Sequence, residues 1–103
     1  MNETTYQRNL IRKLTILFPG CVILKNDPQN SQGIPDLLIL FGSQWAMLEV
    51  KASYNAPEQP NQDYYIEMYD EMSFAAFIHP QNEERVLDDL QSAFGTARQA
   101  RIS

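Results

Sequence analysis

Several things are scarce in this chain, and each scarcity removes a class of explanation. One cysteine, Cys21, cannot form an intramolecular disulfide, and with a single histidine, His79, there is no Cys/His set to hold zinc. Any metal would need oxygen ligands. No apolar run approaches the roughly 20 residues of a membrane helix, and the opening MNETTYQRNL lacks the apolar centre of an export signal. The expectation is a cytoplasmic protein with no membrane partner. Basic residues are also few, eight Lys and Arg against thirteen Asp and Glu, for a formal charge of -5. Phosphate binding normally shows as a basic surplus, so the total charge taken alone argues against a nucleic-acid partner.

The distribution of charge weakens that objection. Up to Lys51 the chain carries five basic residues (Arg8, Arg12, Lys13, Lys25, Lys51) against four acids (Glu3, Asp27, Asp36, Glu49). Eight of the thirteen acids lie between Asp63 and Asp89, opposed only by Arg85, and the end of the chain adds Arg98 and Arg101. One surface is therefore expected to be acidic helix and another locally positive. With 103 residues, 44% of them hydrophobic and 20% charged, the composition is that of one ordinary globular domain.

Periodicity gives the element order. Asn2 can cap a helix running to about Leu17, with Leu10, Ile11, Leu14, Leu17 and Phe18 at helical spacing before Pro19-Gly20. CVILK predicts a strand, and NDPQNSQG a loop. PDLLILF and WAMLEVKA follow, joined by Gly42-Ser43-Gln44, a length suited to a hairpin. After the loop ASYNAPEQPN, a helix is predicted from about Asn61 to Met72, then the short strand FAAFI, then a helix with Val86, Leu87, Leu90 and Phe94 on one face. The fold class is α/β, a mixed four-stranded sheet flanked by helices in the order α-β-β-β-α-β-α. Residues 1–95 form the domain and 96–103 a loose tail.

The chemistry concentrates in GIPDLLILFGSQWAMLEVK. Alternation along WAMLEVK puts Glu49 and Lys51 on one face, with Leu48 and Val50 on the other. A hairpin returns Asp36 to the level of Glu49 and Lys51. Two neighbouring buried carboxylates raise each other's pKa unless a cation neutralises them. Mg²⁺ suits such ligands, since it is ordinarily held by one or two carboxylates with water and substrate phosphate. Lys51 could then assist an attacking water or stabilise charge in the transition state. Extending the first helix's stripe backwards reaches Gln7 and Glu3, and extending that of the second helix (Tyr65, Ile66, Tyr69) reaches Gln62, so Glu3 and Gln62 are candidates for the rim.

Each residue also has a plainer reading. Asp36 after Pro35 suits a turn, Glu49 and Lys51 an edge-strand ion pair, and Glu3 the dipole of its helix. Gln62 alone would be a surface residue, and His79 structural. Cys21 reads as a small core hydrophobe, and Tyr64, Tyr65 and Tyr69 as packing more than a base-stacking platform. Only the coincidence of the charged residues at one place favours chemistry.

Pro35-Asp36 followed by Glu49-Val50-Lys51 resembles the PD-(D/E)xK nuclease superfamily. Gly33 before Ile-Pro-Asp, Gln62 and Tyr65 in the following helix, and Glu3 in the first helix look like the branch holding VRR-NUC domains and archaeal-type Holliday junction resolvases. KNDPQNSQGIPDLLIL and PNQDYYIEMYDEMSFAAFIHPQN are similar to small stand-alone phage-encoded nucleases of that branch. The resemblance covers Glu3 to about Phe94. It implies a restriction-endonuclease-like core, a Mg²⁺-dependent (Mn²⁺ substituting) nuclease acting on DNA, and a host-cytoplasmic location if phage-encoded. Asp36 and Glu49 would be metal ligands, with the Val50 carbonyl and Glu3 as further ligands. Lys51 would be the catalytic lysine, oriented by Gln62. Larger members of the branch carry extra basic segments that this chain lacks. Arg8, Arg12, Lys13, Lys25, Arg98 and Arg101 are the available phosphate contacts, a modest footprint that a homodimer would double. RNA stays open as a substrate, and a non-catalytic nucleic-acid-binding or assembly protein on a nuclease fold is the alternative.

Overall fold

The computed structural model describes residues 1–27, 33–58 and 60–102, with 96–102 as backbone alone. Its element order is the expected one: α1 (Glu3–Leu17), β1 (Val22–Lys25), β2 (Leu37–Phe41), β3 (Gln44–Val50), α2 (Gln62–Met72), β4 (Ala75–Ile78) and α3 (Glu83–Ile102). The strands form one sheet in sequence order. β1–β2 and β2–β3 are antiparallel, while β3–β4 is parallel, with α2 as the crossover that parallel pairing requires. Most of the loop expected between β1 and β2 lies outside the described residues. α3 spans the backbone of nearly all the segment expected as a tail.

Local chemistry explains the boundaries. The Asn2 side chain accepts the Thr5 amide at 2.8 Å, satisfying a free donor at the start of α1, and after α1 Gly20 turns the chain at φ +88°. β2 and β3 are joined across Gly42-Ser43, with Gly42 at φ +63° and Phe41 opposite Gln44. That is the backbone of a tight hairpin turn with glycine in the first central position.

Strand alternation divides the residues between two faces. One face carries Leu37, Ile39, Ala46, Leu48, Val50 and Ile78, packed with Tyr6, Leu10, Leu14 and Phe18 of α1 and its end, and with Val86, Leu87, Leu90 and Phe94 of α3. Phe18, Phe41 and Phe94 close one end of this core with ring centroids 5.2 to 5.8 Å apart. α2 packs against β3 and β4, and the parity of β3 puts Glu49 on the face opposite Leu48 and Val50. Tyr65, Ile66 and Tyr69, expected as the buried stripe of α2, are only half-buried, and Gln62 is the residue of this helix that is fully buried. A polar residue therefore occupies the most enclosed position on α2.

Candidate active site

The site forms where β2 begins and β3 ends. The register that pairs Leu37 with Leu48 places Asp36 opposite Glu49 one step further on. Backbone and side chains interlock there: the Asp36 amide donates to Glu49 Oε1 at 3.2 Å, and the Val50 amide donates to Asp36 Oδ2 at 2.9 Å. The backbone of Val50 is thus tied into the cluster. The strand leading into Asp36 is anchored by its carbonyl, which accepts the Asn26 amide at 2.8 Å, and by buried Pro35.

Gly33, just upstream, has φ +89°, and a Cβ there would lie 2.7 Å from Tyr65 Cε2. Glycine is required on both counts. It lets the loop before Asp36 press against the ring of α2, bringing together two residues that the sequence singled out separately.

Gln62 lies between the charges of Glu49 in β3 and Lys51 just after it. Its Nε2 donates to Glu49 Oε2 at 2.6 Å, and its Oε1 accepts from Lys51 Nζ at 2.8 Å. Lys51 also donates to the Pro57 carbonyl at 3.1 Å, while its distance to Glu49 Oε2 is 3.8 Å. All three side chains are buried, with Glu49 5%, Lys51 7% and Gln62 7% exposed. This answers two of the plainer readings: β3 lies between β2 and β4, so the pair is no edge-strand bridge, and Gln62 is no surface residue.

Burial pushes the Glu49 carboxyl up to about 7, helped by the Asp36 charge and opposed by Lys51. Asp36 is raised too, chiefly by burial, with the Val50 amide and Lys51 pulling it back. Glu3 stands exposed on the rim, and its carboxyl is raised by partial burial and then by Asp36. At the mouth, Glu58 is raised by desolvation and by Asp63, with Lys51 again opposing. Glu58, Asp63 and the Pro57 carbonyl had no signal in the sequence beyond their place in a loop and a helix start.

Among the described residues, no three His, Cys, Asp or Glu side chains converge as a metal cage. The donors nevertheless fit a hard divalent cation. Half-buried Asp36 and buried Glu49 are adjacent and mutually repulsive, the carbonyl of Val50 follows directly in the chain, and Mg²⁺ normally completes its shell with water. Of the expected phosphate contacts, Arg8, Arg12 and Lys25 are exposed. Lys13 is exposed as well but is paired with Glu83, which also accepts the Tyr6 hydroxyl at 2.8 Å. The side chains of Arg98 and Arg101 lie outside the described residues.

No protein-family model matches the chain, and no curated protein matches it in sequence. Among solved structures it is similar to Hjc, a Holliday junction resolvase from the archaeal hyperthermophile Archaeoglobus fulgidus. The TM-score is 0.50 and the identity 13%, covering 74% of this chain and 67% of that one. At that identity the likeness is one of fold, and the fold of this chain, a four-stranded mixed sheet in the order α-β-β-β-α-β-α, is restriction-endonuclease-like.

Proposed function

We propose that the chain is a divalent-metal-dependent nuclease that hydrolyses DNA phosphodiester bonds and selects its substrate by DNA structure. The observation that carries this reading is the cluster of half-buried Asp36 with buried Glu49 and Lys51, joined by the Gln62 amide. Such a group is costly to bury without a cation and has no packing role that an apolar set would not fill better. The restriction-endonuclease-like fold, and the resolvase activity named for its structural neighbour, support the same reading. The finer placement in the VRR-NUC and resolvase branch draws support from the packing of Tyr65 on Gly33.

Asp36 and Glu49, with the Val50 carbonyl, would hold Mg²⁺ or Mn²⁺, and Glu3 would reach the ion through water. The bound ion supplies neutralising charge for the scissile phosphate and lowers the pKa of water. Lys51, fixed by Gln62 and the Pro57 carbonyl, presents its ammonium to the attacked phosphate, stabilising charge as the new P–O bond forms and the P–O bond to the leaving sugar breaks. Gln62 acts through Lys51 and is a positioning residue. Arg8, Arg12 and Lys25 would contact flanking phosphates, and a homodimer would double that footprint.

The test is cleavage of a labelled panel (duplex, single strand, flap, four-way junction, and an RNA strand) with Mg²⁺, Mn²⁺ or chelator. Metal-dependent cutting is expected, lost by at least about 100-fold in Lys51→Ala on the scale of removing one electrostatic stabiliser, with the variant's circular dichroism unchanged. Full activity in Lys51→Ala would overturn the assignment. No cutting of any substrate by folded parent protein would transfer the reading to a nucleic-acid-binding or assembly role.

A further inference from the structure

The segment after β3 forms a closed loop. It leaves the sheet at Lys51 and comes back at Pro57, whose carbonyl accepts the Lys51 ammonium at 3.1 Å. Inside it, the Ala56 amide donates to the Ser53 carbonyl at 3.2 Å and Ser53 Oγ donates to Asn55 Oδ1 at 2.7 Å. Tyr54 stands at the apex. Its amide donates to Gln81 Oε1 at 3.2 Å, and its ring meets His79 edge-on, with centroids 6.5 Å apart. His79 is itself fixed: its amide donates to Asn82 Oδ1 at 2.9 Å, and its Nδ1 accepts the Gln81 amide at 3.2 Å.

All this order holds a ring that is 73% exposed. Tyr54 covers no core, so packing does not account for it. Tyr64 is also exposed, but its ring continues the Tyr65–Tyr69–Trp45 series. Tyr54 is three positions after Lys51, so their Cα atoms are at most about 11 Å apart, the length of about three stacked nucleotides at ~3.4 Å each. A base beside the scissile phosphate is within reach of the ring.

The charge beyond the ring decides what kind of DNA fits. Gln81, which fixes Tyr54, also borders a surface depression lined by Glu84, Asp88 and Asp89, where Arg85 is already paired with Asp89 at 3.6 Å. A continuous duplex crossing this side would bring phosphates against carboxylates. An uncharged base face meeting an aromatic ring avoids that repulsion. We propose that Tyr54, braced by His79, is a stacking ledge for an unpaired nucleobase next to the scissile phosphate, so that the substrate is DNA with unpaired nucleotides at the cut. This rests on the nuclease reading for the meaning of the site, and its test is chosen to be independent of cleavage.

Binding of a fluorescein-labelled oligodeoxythymidine and of a blunt duplex of equal length is measured by anisotropy in chelator and low salt, for the parent, Tyr54→Ala and Tyr54→Phe. Loss of one stacked base should weaken single-strand binding about 10-fold in Tyr54→Ala, with duplex affinity unchanged and Tyr54→Phe matching the parent. Equal loss on both DNAs, no loss at all, a Tyr54→Phe variant as weak as Tyr54→Ala, or a parent that binds no single strand would each overturn the ledge. A parent that binds in this way yet cuts nothing with Mg²⁺ overturns the nuclease reading and leaves the ledge standing.

Discussion

Gln62 uses both ends of one amide, donating a hydrogen bond to Glu49 and accepting one from Lys51, so it bridges two opposite charges that stand 3.8 Å apart. Its neighbour Glu49 provides a pH test. Because the folded-state pKa is raised from 4.5 to about 7, the native state binds the proton more tightly than the unfolded chain, and stability from this group falls as pH rises through that window. In chelator, the melting temperature of the parent relative to Glu49→Gln should drop between pH 4.5 and 7. Added Mg²⁺ should recover more of it at pH 8 than at pH 5, since a ligand stabilises the form that binds it. A pH-independent difference would contradict the burial of a titrating Glu49. At Gly33, Gly33→Ala meets both a positive φ and the Tyr65 ring, and should cost about 1 to 3 kcal/mol by urea denaturation. The three charged residues were legible in the sequence because strand alternation and a short hairpin suffice to bring them together. The Pro57 carbonyl and Tyr54 were not, because a loop has no period from which to read direction.

At the scale of elements, the order and type of all seven were legible, since each carried its own period or turn residues. The two helices that pack on the core differ from the one that shapes the site. α1 and α3 bury continuous apolar stripes, and α1 has a side-chain cap, whereas α2 starts from Asn61 in a left-handed conformation (φ +70°) with no side-chain cap and fully buries only Gln62. α2 is held instead by specific contacts, with Ser73 Oγ donating to the Trp45 carbonyl and Asp70 Oδ1 accepting the Ala75 amide at 3.0 Å. That is why its expected apolar stripe proved only half-buried: the helix lies over polar chemistry. Removing the cap on α1 with Asn2→Ala should cost about 1 kcal/mol in chemical denaturation, and a loss near zero would mean the first turn is held by its packing alone.

Across the whole molecule, the uneven spread of charge visible in the sequence maps onto different elements, which meet where Lys13 of α1 pairs with Glu83 of α3. Exposed Arg8, Arg12 and Lys25 belong to α1 and β1, while the acids of α2 and α3 lie on later elements. The sequence showed that asymmetry but not which surface borders the site, because that depends on long-range packing. The parallel pairing of β3 with β4 has a kinetic consequence. β1, β2 and β3 form a meander of local hairpins, which close on a timescale of about 1–10 μs, and this alone sets Asp36 against Glu49. Gln62 arrives only when α2 crosses over and β4 docks, a non-local step that is intrinsically slower. During refolding, therefore, the two carboxylates face each other before their amide partner is in place, and the chain is briefly a folded scaffold with an unassembled centre. Stopped-flow refolding should show the far-ultraviolet strand signal recovering ahead of the fluorescence of Trp45, whose ring on β3 meets Tyr69 of α2. Simultaneous recovery would place α2 in the folding nucleus.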